Sequence, residues 1–193
     1  MAGPVTAAAV VIPQAAAFDL YAGVLEGLTD SKQLTAEERA HYFGVLTRLA
    51  GTRGSGVRIG IGWGSVEEID TLNILNATHL AMRRAVENLK EPPAHVLVDG
   101  LAVRGLPCDS TPIKKGDSKS LLIAAASVIA KVSRDRFILE LDLEYPVYGF
   151  ARHKAYGTPQ HIEALLKYGA SPVHRKHFRP VADLRQIELD LDD

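Results

Sequence analysis

His95-Val-Leu-Val-Asp99-Gly100 is the stretch on which the fold of this 193-residue chain turns. A short apolar run that closes on a carboxylate and a glycine reads as a buried strand ending at the edge of a sheet. An ionised Asp in such a place is costly unless a cation meets it. A second carboxylate, Asp117, stands in Lys114-Lys-Gly-Asp-Ser118, just ahead of the apolar stretch 121–130, which leads into Lys131-Val-Ser-Arg-Asp135. Two acids near each other repel unless a metal ion lies between or beside them. Together they point to a carboxylate metal site on an α/β sheet. Taken singly, each is an ordinary turn residue, since Asp-Gly and Gly-Asp-Ser are common in turns.

The elements around this stretch alternate. Pro4 to Pro13 is a valine-rich run of strand length. Residues 15–29 read as loop and lead into Asp30-Ser31-Lys32. Thr35 with Glu38 forms a capping box, opening a helix to Ala50 with Phe43, Leu46 and Leu49 as its buried stripe. Val57 to Trp63 alternates with glycine and reads as a strand. Ser65 with Glu68 is a second capping box, and Leu72, Leu75, Met82, Val86 and Leu89 share the expected buried face of the helix that follows. Pro92-Pro93 stops it. After the 95–99 strand come a short strand over Pro112–Lys115, a helix capped by Ser118 or Ser120 that reaches Leu143, a loop from Pro146, and a helix over Pro159–Lys167 stopped by Gly169. From Val181 the tail is amphipathic. The order implies an α/β fold with a mixed sheet flanked by helices.

Composition narrows the function. The length suits one domain with a substantial core and a small appendage. No run is long and apolar enough to span a bilayer. The single cysteine, Cys108, excludes an internal disulfide and a cysteine-based zinc site. With no basic n-region at the N-terminus, these features favour a cytoplasmic protein. Net charge is −1, but residues 101–180 carry 13 Lys and Arg against 7 Asp and Glu. They also hold His153, His161, His174 and His177. A basic half with paired acids suits a polyanionic substrate and a metal, although an unevenly charged solvated surface would look the same.

Three further groups could meet such a substrate. Ser127, Lys131 and Arg134 share one face of an otherwise apolar helix, which should turn them into a cleft beside Asp117. Tyr148-Gly-Phe-Ala-Arg-His-Lys-Ala-Tyr-Gly-Thr158 interleaves rings, bases and glycines, a pattern able to stack on a sugar or base and bind phosphates; a packed loop is the plainer alternative. His174-Arg-Lys-His-Phe178 is a basic cluster that could equally be solvated. Ser31 and Lys32 offer a hydroxyl and an ammonium to a phosphate.

In order along nearly the whole chain, Ala2-Gly-Pro-Val, Leu28-Thr-Asp-Ser-Lys, Glu68-Ile-Asp-Thr-Leu-Asn-Ile-Leu-Asn-Ala-Thr, Val96-Leu-Val-Asp-Gly, Lys115-Gly-Asp-Ser, Ala125-Ala-Ser-Val-Ile-Ala-Lys-Val-Ser-Arg-Asp, Tyr148-Gly-Phe, His153-Lys and His174-Arg resemble the bacterial ribonuclease HII family, the type 2 ribonucleases H. The resemblance implies a ribonuclease-H-like domain over residues 1–157 and a C-terminal helical appendage over 158–193. It implies a monomer that cleaves RNA–DNA hybrids and single ribonucleotides in duplex DNA, leaving 3′-hydroxyl and 5′-phosphate ends with the aid of Mg²⁺ or Mn²⁺. Asp99 and Asp117 match family metal ligands and catalytic acids. Tyr156 matches the tyrosine that packs on the sugar beside the ribonucleotide. Ser31, Lys32 and Lys154 match positions near the substrate backbone. Ala155 stands where the family usually has glycine, a change expected to tighten the loop.

One departure matters. The family opens with a strand ending in a motif like G-x-D-E-x-G-R-G-P, the source of its first metal-binding acids. Met1-Ala-Gly-Pro-Val aligns just past it. The central first strand is therefore expected to be missing, with Met1 internal to a longer protein and two sheet edges left facing a gap. The rivals are a catalytically impaired hybrid-binding remnant, another ribonuclease-H-fold nuclease such as a junction resolvase, and a small-molecule α/β enzyme. The last is disfavoured by the lack of a glycine-rich phosphate loop.

Overall fold

The computed structural model describes residues 1–184. The elements are β1 (Val5–Val11), α1 (Gln14–Tyr21), α2 (Ala36–Gly51), β2 (Arg58–Gly64), α3 (Val66–Glu87), β3 (His95–Asp99), β4 (Asp109–Ile113), α4 (Leu121–Glu144), α5 (Phe150–His153) and α6 (Pro159–Tyr168). Single 3₁₀ turns cover Gly116–Ser118 and Pro146–Tyr148. Among the described residues no helix is long and apolar enough to cross a membrane. The expected tail from Val181 lies mostly outside the described residues.

Two compact units emerge, each assembled from separate stretches of chain. Among the described residues, one takes Met1–Val5, Gly64–Ala77 and residues 134–184; the other takes Thr6–Trp63 and Thr78–Ser133. In the second, Leu25, Leu28, Leu34, Leu46 and Val57 bury against Ala124, Ala125, Val128 and Ile129 of α4. In the first, Ile138, Leu141, Tyr148, Phe150 and Ala155 gather with Ala2. The division of residues 1–157 from 158–193 is a proposal about the family's appendage and is separate from this one.

Glycine decides how β2 meets α3 in the second unit. A Cβ on Gly60 would lie 2.0 Å from the carbonyl oxygen of Ala85, and one on Gly62 would lie 2.0 Å from that of Ala81. Ala81 and Ala85 are themselves buried. Only hydrogen on the strand and methyl on the helix allow backbones this close.

Among the described residues the strands pair as β1 with β2 and β3 with β4 within the expected α/β fold. β3 and β4 run parallel, His95 opposite Asp109 and Asp99 opposite Ile113. Residues Thr6–Val11 of β1 and His95–Asp99 of β3 line one cavity of about 250 Å³, with Met82 and Val86 of α3 and Ile123 and Ser127 of α4. Two strand edges thus face a gap. This also corrects the expectation of a buried β3: only Val98 is buried, since the strand has a partner on one side alone.

Other elements differ from the sequence-based expectation. Residues 14–21 are helical rather than loop, β4 begins at Asp109 rather than Pro112, and the segment after Pro146 winds into a 3₁₀ turn and α5. In α3, Asn73 sits at φ 68°, ψ 165°, and its side chain accepts from the Asn76 N–H. That break resets the helical register, so Leu72 and Leu75 are exposed while Ile69 and Ala77 are buried. Both capping boxes form: Thr35 with Glu38 and Ser65 with Glu68 exchange reciprocal hydrogen bonds.

Candidate functional site

Asp99 ends β3, and the turn after β4 returns to it. Lys115 takes a left-handed conformation at φ 56°. This swings the Gly116 N–H onto Asp99, whose Oδ1 accepts it at 2.8 Å. A Cβ on Gly116 would stand 2.4 Å from Ile123 Cδ1, so that side chain would have to turn aside to admit one. Asp117 follows, buried at the start of the 3₁₀ turn. Burial pushes its carboxyl up from the ordinary value, the negative charges of Asp99 and Asp30 push it further, and Lys32 opposes them. Two acids are thus brought together at a cost in repulsion, and the structure identifies Asp30 as a further charge acting on Asp117.

The Asp30–Lys32 turn is held from three sides. Asp30 Oδ1 accepts from the Lys32 N–H at 2.9 Å, an Asx-type turn. Arg39 of α2 donates through Nη1 to the carbonyls of Ser31 and Leu34. Ser31 Oγ lies 2.8 Å from Ser127 Oγ of α4. Ser127 therefore anchors Ser31 and also lines the gap between β1 and β3. Lys131 is half-buried and Lys32 exposed. Ser31, Lys32, Ser127, Lys131, Asp99 and Asp117 all belong to the second unit.

Arg134, Lys154 and Tyr156 belong to the first unit. Lys154 and Ala155 are both left-handed, at φ 50° and 61°. Ala155 thus occupies the backbone conformation that glycine favours. The Arg134 guanidinium lies 5.1 Å from the centre of the Tyr156 ring, and its Nη1 donates to the Lys154 carbonyl at 3.1 Å. Lys154 Nζ donates to the carbonyl of Ala151. Tyr156 is 53% exposed, so it stands at the surface rather than packed inside its loop.

The cluster from His174 divides: His174 and Arg175 are buried, whereas Lys176 and His177 are exposed. Arg175 donates to the carbonyls of Gly3 and Pro4. Burial lowers His174 to about 4, and His161 likewise to about 4. Sequence reasoning also missed Gly116 and Asp30 as partners of the acid pair. Both stand inside the quoted segments, but only the fold shows which carboxylate each one addresses.

The family description ribonuclease HII matches residues 1–181. The ribonuclease HII of Acetivibrio thermocellus is 50% identical over 180 residues, covering 92% of this chain and 64% of that protein. That of Geobacillus kaustophilus is 50% identical over 191 residues, covering 99% and 68%. That of Albidiferax ferrireducens is 50% identical over 189 residues, covering 98% and 85%. The chain thus spans about two-thirds of the length of the first two. Among solved structures, the ribonuclease H2 of Pyrococcus horikoshii superposes with a TM-score of 0.69 at 24% identity, covering 96% of this chain and 93% of that one. A chain in the PCNA:RNase HII complex of Archaeoglobus fulgidus gives 0.67 at 23%, covering 92% and 89%. These likenesses establish the fold. The match over residues 1–181 and the 50% identity establish that the chain belongs to the ribonuclease HII family.

Proposed function

We propose that this protein is a metal-dependent endoribonuclease that cuts the RNA strand of RNA–DNA hybrids and single ribonucleotides embedded in duplex DNA, leaving 3′-hydroxyl and 5′-phosphate ends. The observation that carries the proposal is the Asp99–Asp117 pair, held on the Gly116 turn with Asp117 driven toward its protonated form by burial and by its neighbours. Two carboxylates that repel each other fit a hard divalent cation, which commonly takes one or two carboxylates and fills its remaining positions with water and phosphate oxygens. Mg²⁺ or Mn²⁺ bound there would supply the positive charge that activates water and steadies the leaving oxygen. On this reading the chain's own residues take the roles that the family resemblance and the sequence pattern imply. The Gly116 N–H orients Asp99. Lys32 and Ser31 bind the substrate backbone, with Ser127 bracing Ser31. Lys131, Arg134 and Lys154 neutralise phosphates. Tyr156 packs on the sugar beside the ribonucleotide. The same reading makes the protein a cytoplasmic monomer.

The test is cleavage of end-labelled duplexes in Mg²⁺ or Mn²⁺ and in EDTA: one with a single ribonucleotide, one a long hybrid, one a four-way DNA junction. Cutting of the first two with metal, and loss in Asp99→Asn and Asp117→Asn, is the expected result. Cutting of the junction alone would replace the reading with a resolvase. A second reading, hybrid binding with little turnover, is favoured by one observation: among the described residues no cluster of three or more metal-ligating side chains is found. Tight hybrid binding without metal-dependent cutting would establish it.

A further inference from the structure

We propose that His161 and His174 form a neutral, proton-ordered relay that fixes the Tyr156 carbonyl and so aims the Tyr156 ring, making both histidines positioning residues for ribonucleotide recognition. The recognition half rests on the role proposed above for Tyr156.

The turn that carries Tyr156 needs holding. Lys154 and Ala155 are consecutive left-handed residues with side chains, a conformation that persists only where its surroundings over-determine it. Three successive carbonyls of the turn are captured by three different donors. Arg134 Nη1 takes that of Lys154 at 3.1 Å. The Met1 α-amino group takes that of Ala155 at 2.7 Å. His161 Nδ1 takes that of Tyr156 at 2.9 Å. The first two act on the residues before Tyr156; His161 is the side chain that binds the carbonyl of Tyr156 itself, which also accepts the Thr158 N–H at 2.9 Å.

The direction of the relay is dictated from both ends. A carbonyl can only accept, so His161 Nδ1 must carry the proton, which leaves Nε2 a bare acceptor in the neutral ring. That Nε2 lies 3.1 Å from His174 Nε2, so His174 must donate there. At the far end, His174 Nδ1 lies 3.1 Å from the backbone N of Ser171 and 2.8 Å from its Oγ. A backbone N–H can only donate, so His174 Nδ1 must be the acceptor. The two ends thus require the same tautomers, and a proton added to either ring would set two N–H groups against each other. His161 is 0% and His174 1% exposed, so water cannot replace a lost partner. Tyr148 and Phe150 pack edge-on or tilted against both rings, and His153 stacks on His161 at 4.6 Å. The relay therefore ties the turn to α6 and to the loop at Ser171.

The decisive measurement is made on the unaltered chain. Long-range proton–nitrogen spectra of protein carrying ¹⁵N-histidine at pH 7 should show His161 as the Nδ1–H tautomer and His174 as the Nε2–H tautomer. An Nε2–H form at His161, or an imidazolium at either site, overturns the relay even if no variant folds. His161→Asn keeps a donor near the Nδ1 position, whereas His161→Leu removes it. The proton contact between the Tyr156 ring and Arg134 should survive in H161N and vanish in H161L; its survival in a folded H161L also overturns the relay. Binding to a duplex with one ribonucleotide, relative to all-DNA duplex, should fall roughly tenfold in H161L, recover in H161N and fall similarly in Tyr156→Ala. If Y156A leaves that ratio unchanged while the tautomers are as expected, the recognition role fails and the relay stands as an internal brace. If Y156A lowers the ratio and H161L does not, the positioning role fails alone.

Discussion

Asp117 is a residue whose native environment works against its charge. Burial is the first cause and Asp99 the second. A carboxylate raised in the folded state is destabilising once the pH exceeds its unfolded value, because the folded protein then holds the proton too tightly. Asp117→Asn keeps the shape and removes the repulsion. It is expected to abolish cleavage while raising the melting temperature of the metal-free protein by about 1–3 °C, within the range that a fraction of a kcal/mol produces. A lower melting temperature would show that the carboxylate is stabilising as it stands. Tyr156 presents the opposite case, a ring held at the surface. Tyr156→Ala should cost roughly 1–3 kcal/mol in transition-state discrimination at a DNA–RNA–DNA junction and much less in plain duplex binding, by analogy with base–aromatic stacking. Equal losses on both substrates in cleavage and anisotropy assays would remove its reading role.

Among the elements, the close approach of β2 to α3 is the least tolerant. Gly62→Ala would put a methyl 2.0 Å from the Ala81 carbonyl and 2.5 Å from the Ala85 nitrogen. Neither is a flexible side-chain tip, so strand and helix must part, at a cost of about 2–3 kcal/mol. The same change at Gly44, which has open space around it, should cost far less. Similar urea midpoints for the two variants would sink this account of the packing. Elements with their own signals were legible in the sequence. Thr35 with Glu38 and Ser65 with Glu68 marked α2 and α3, and the run into Asp99 marked β3. Helix α1 was not legible because it segregates nothing: none of its residues is buried, Phe18 and Tyr21 are exposed, and Pro13 offers no side-chain cap. Leu72 and Leu75 misled because helical periodicity assumes an unbroken helix, and Asn73 breaks it. Among the candidate residues, Asp99 and Asp117 stood out in their own segments, whereas Tyr156 was drawn from the family resemblance. The burial of His174 could not be foreseen, since a histidine at the head of a basic run looks like a cation until the fold encloses it.

At the scale of the whole molecule, stability should depend on acid in a defined window. His161 and His174 fall from 6.5 to about 4 on folding, mainly through burial. Each lowered group favours the unprotonated fold, so its contribution is complete above the unfolded value. It is lost as pH falls from 6.5 toward 4, at up to about 1.4 kcal/mol per group per pH unit. Urea midpoints should therefore drop between pH 6.5 and 4; a flat profile would show that these groups titrate normally. The cavity between β1 and β3 has a consequence of another kind. Its walls are largely aliphatic, from Ala7, Val10 and Val98 to Ile123 and Ala126. Unfolding removes such a space, so the unfolded chain takes up less volume than the folded one. Hydrostatic pressure then becomes a denaturant aimed at this one defect. Trp63 fluorescence in a pressure cell should report unfolding at modest pressure, and Ala126→Leu, which fills part of the void, should move the midpoint upward. An unmoved midpoint would mean that water already fills the gap at rest, and that the two strand edges are wetted rather than merely apart.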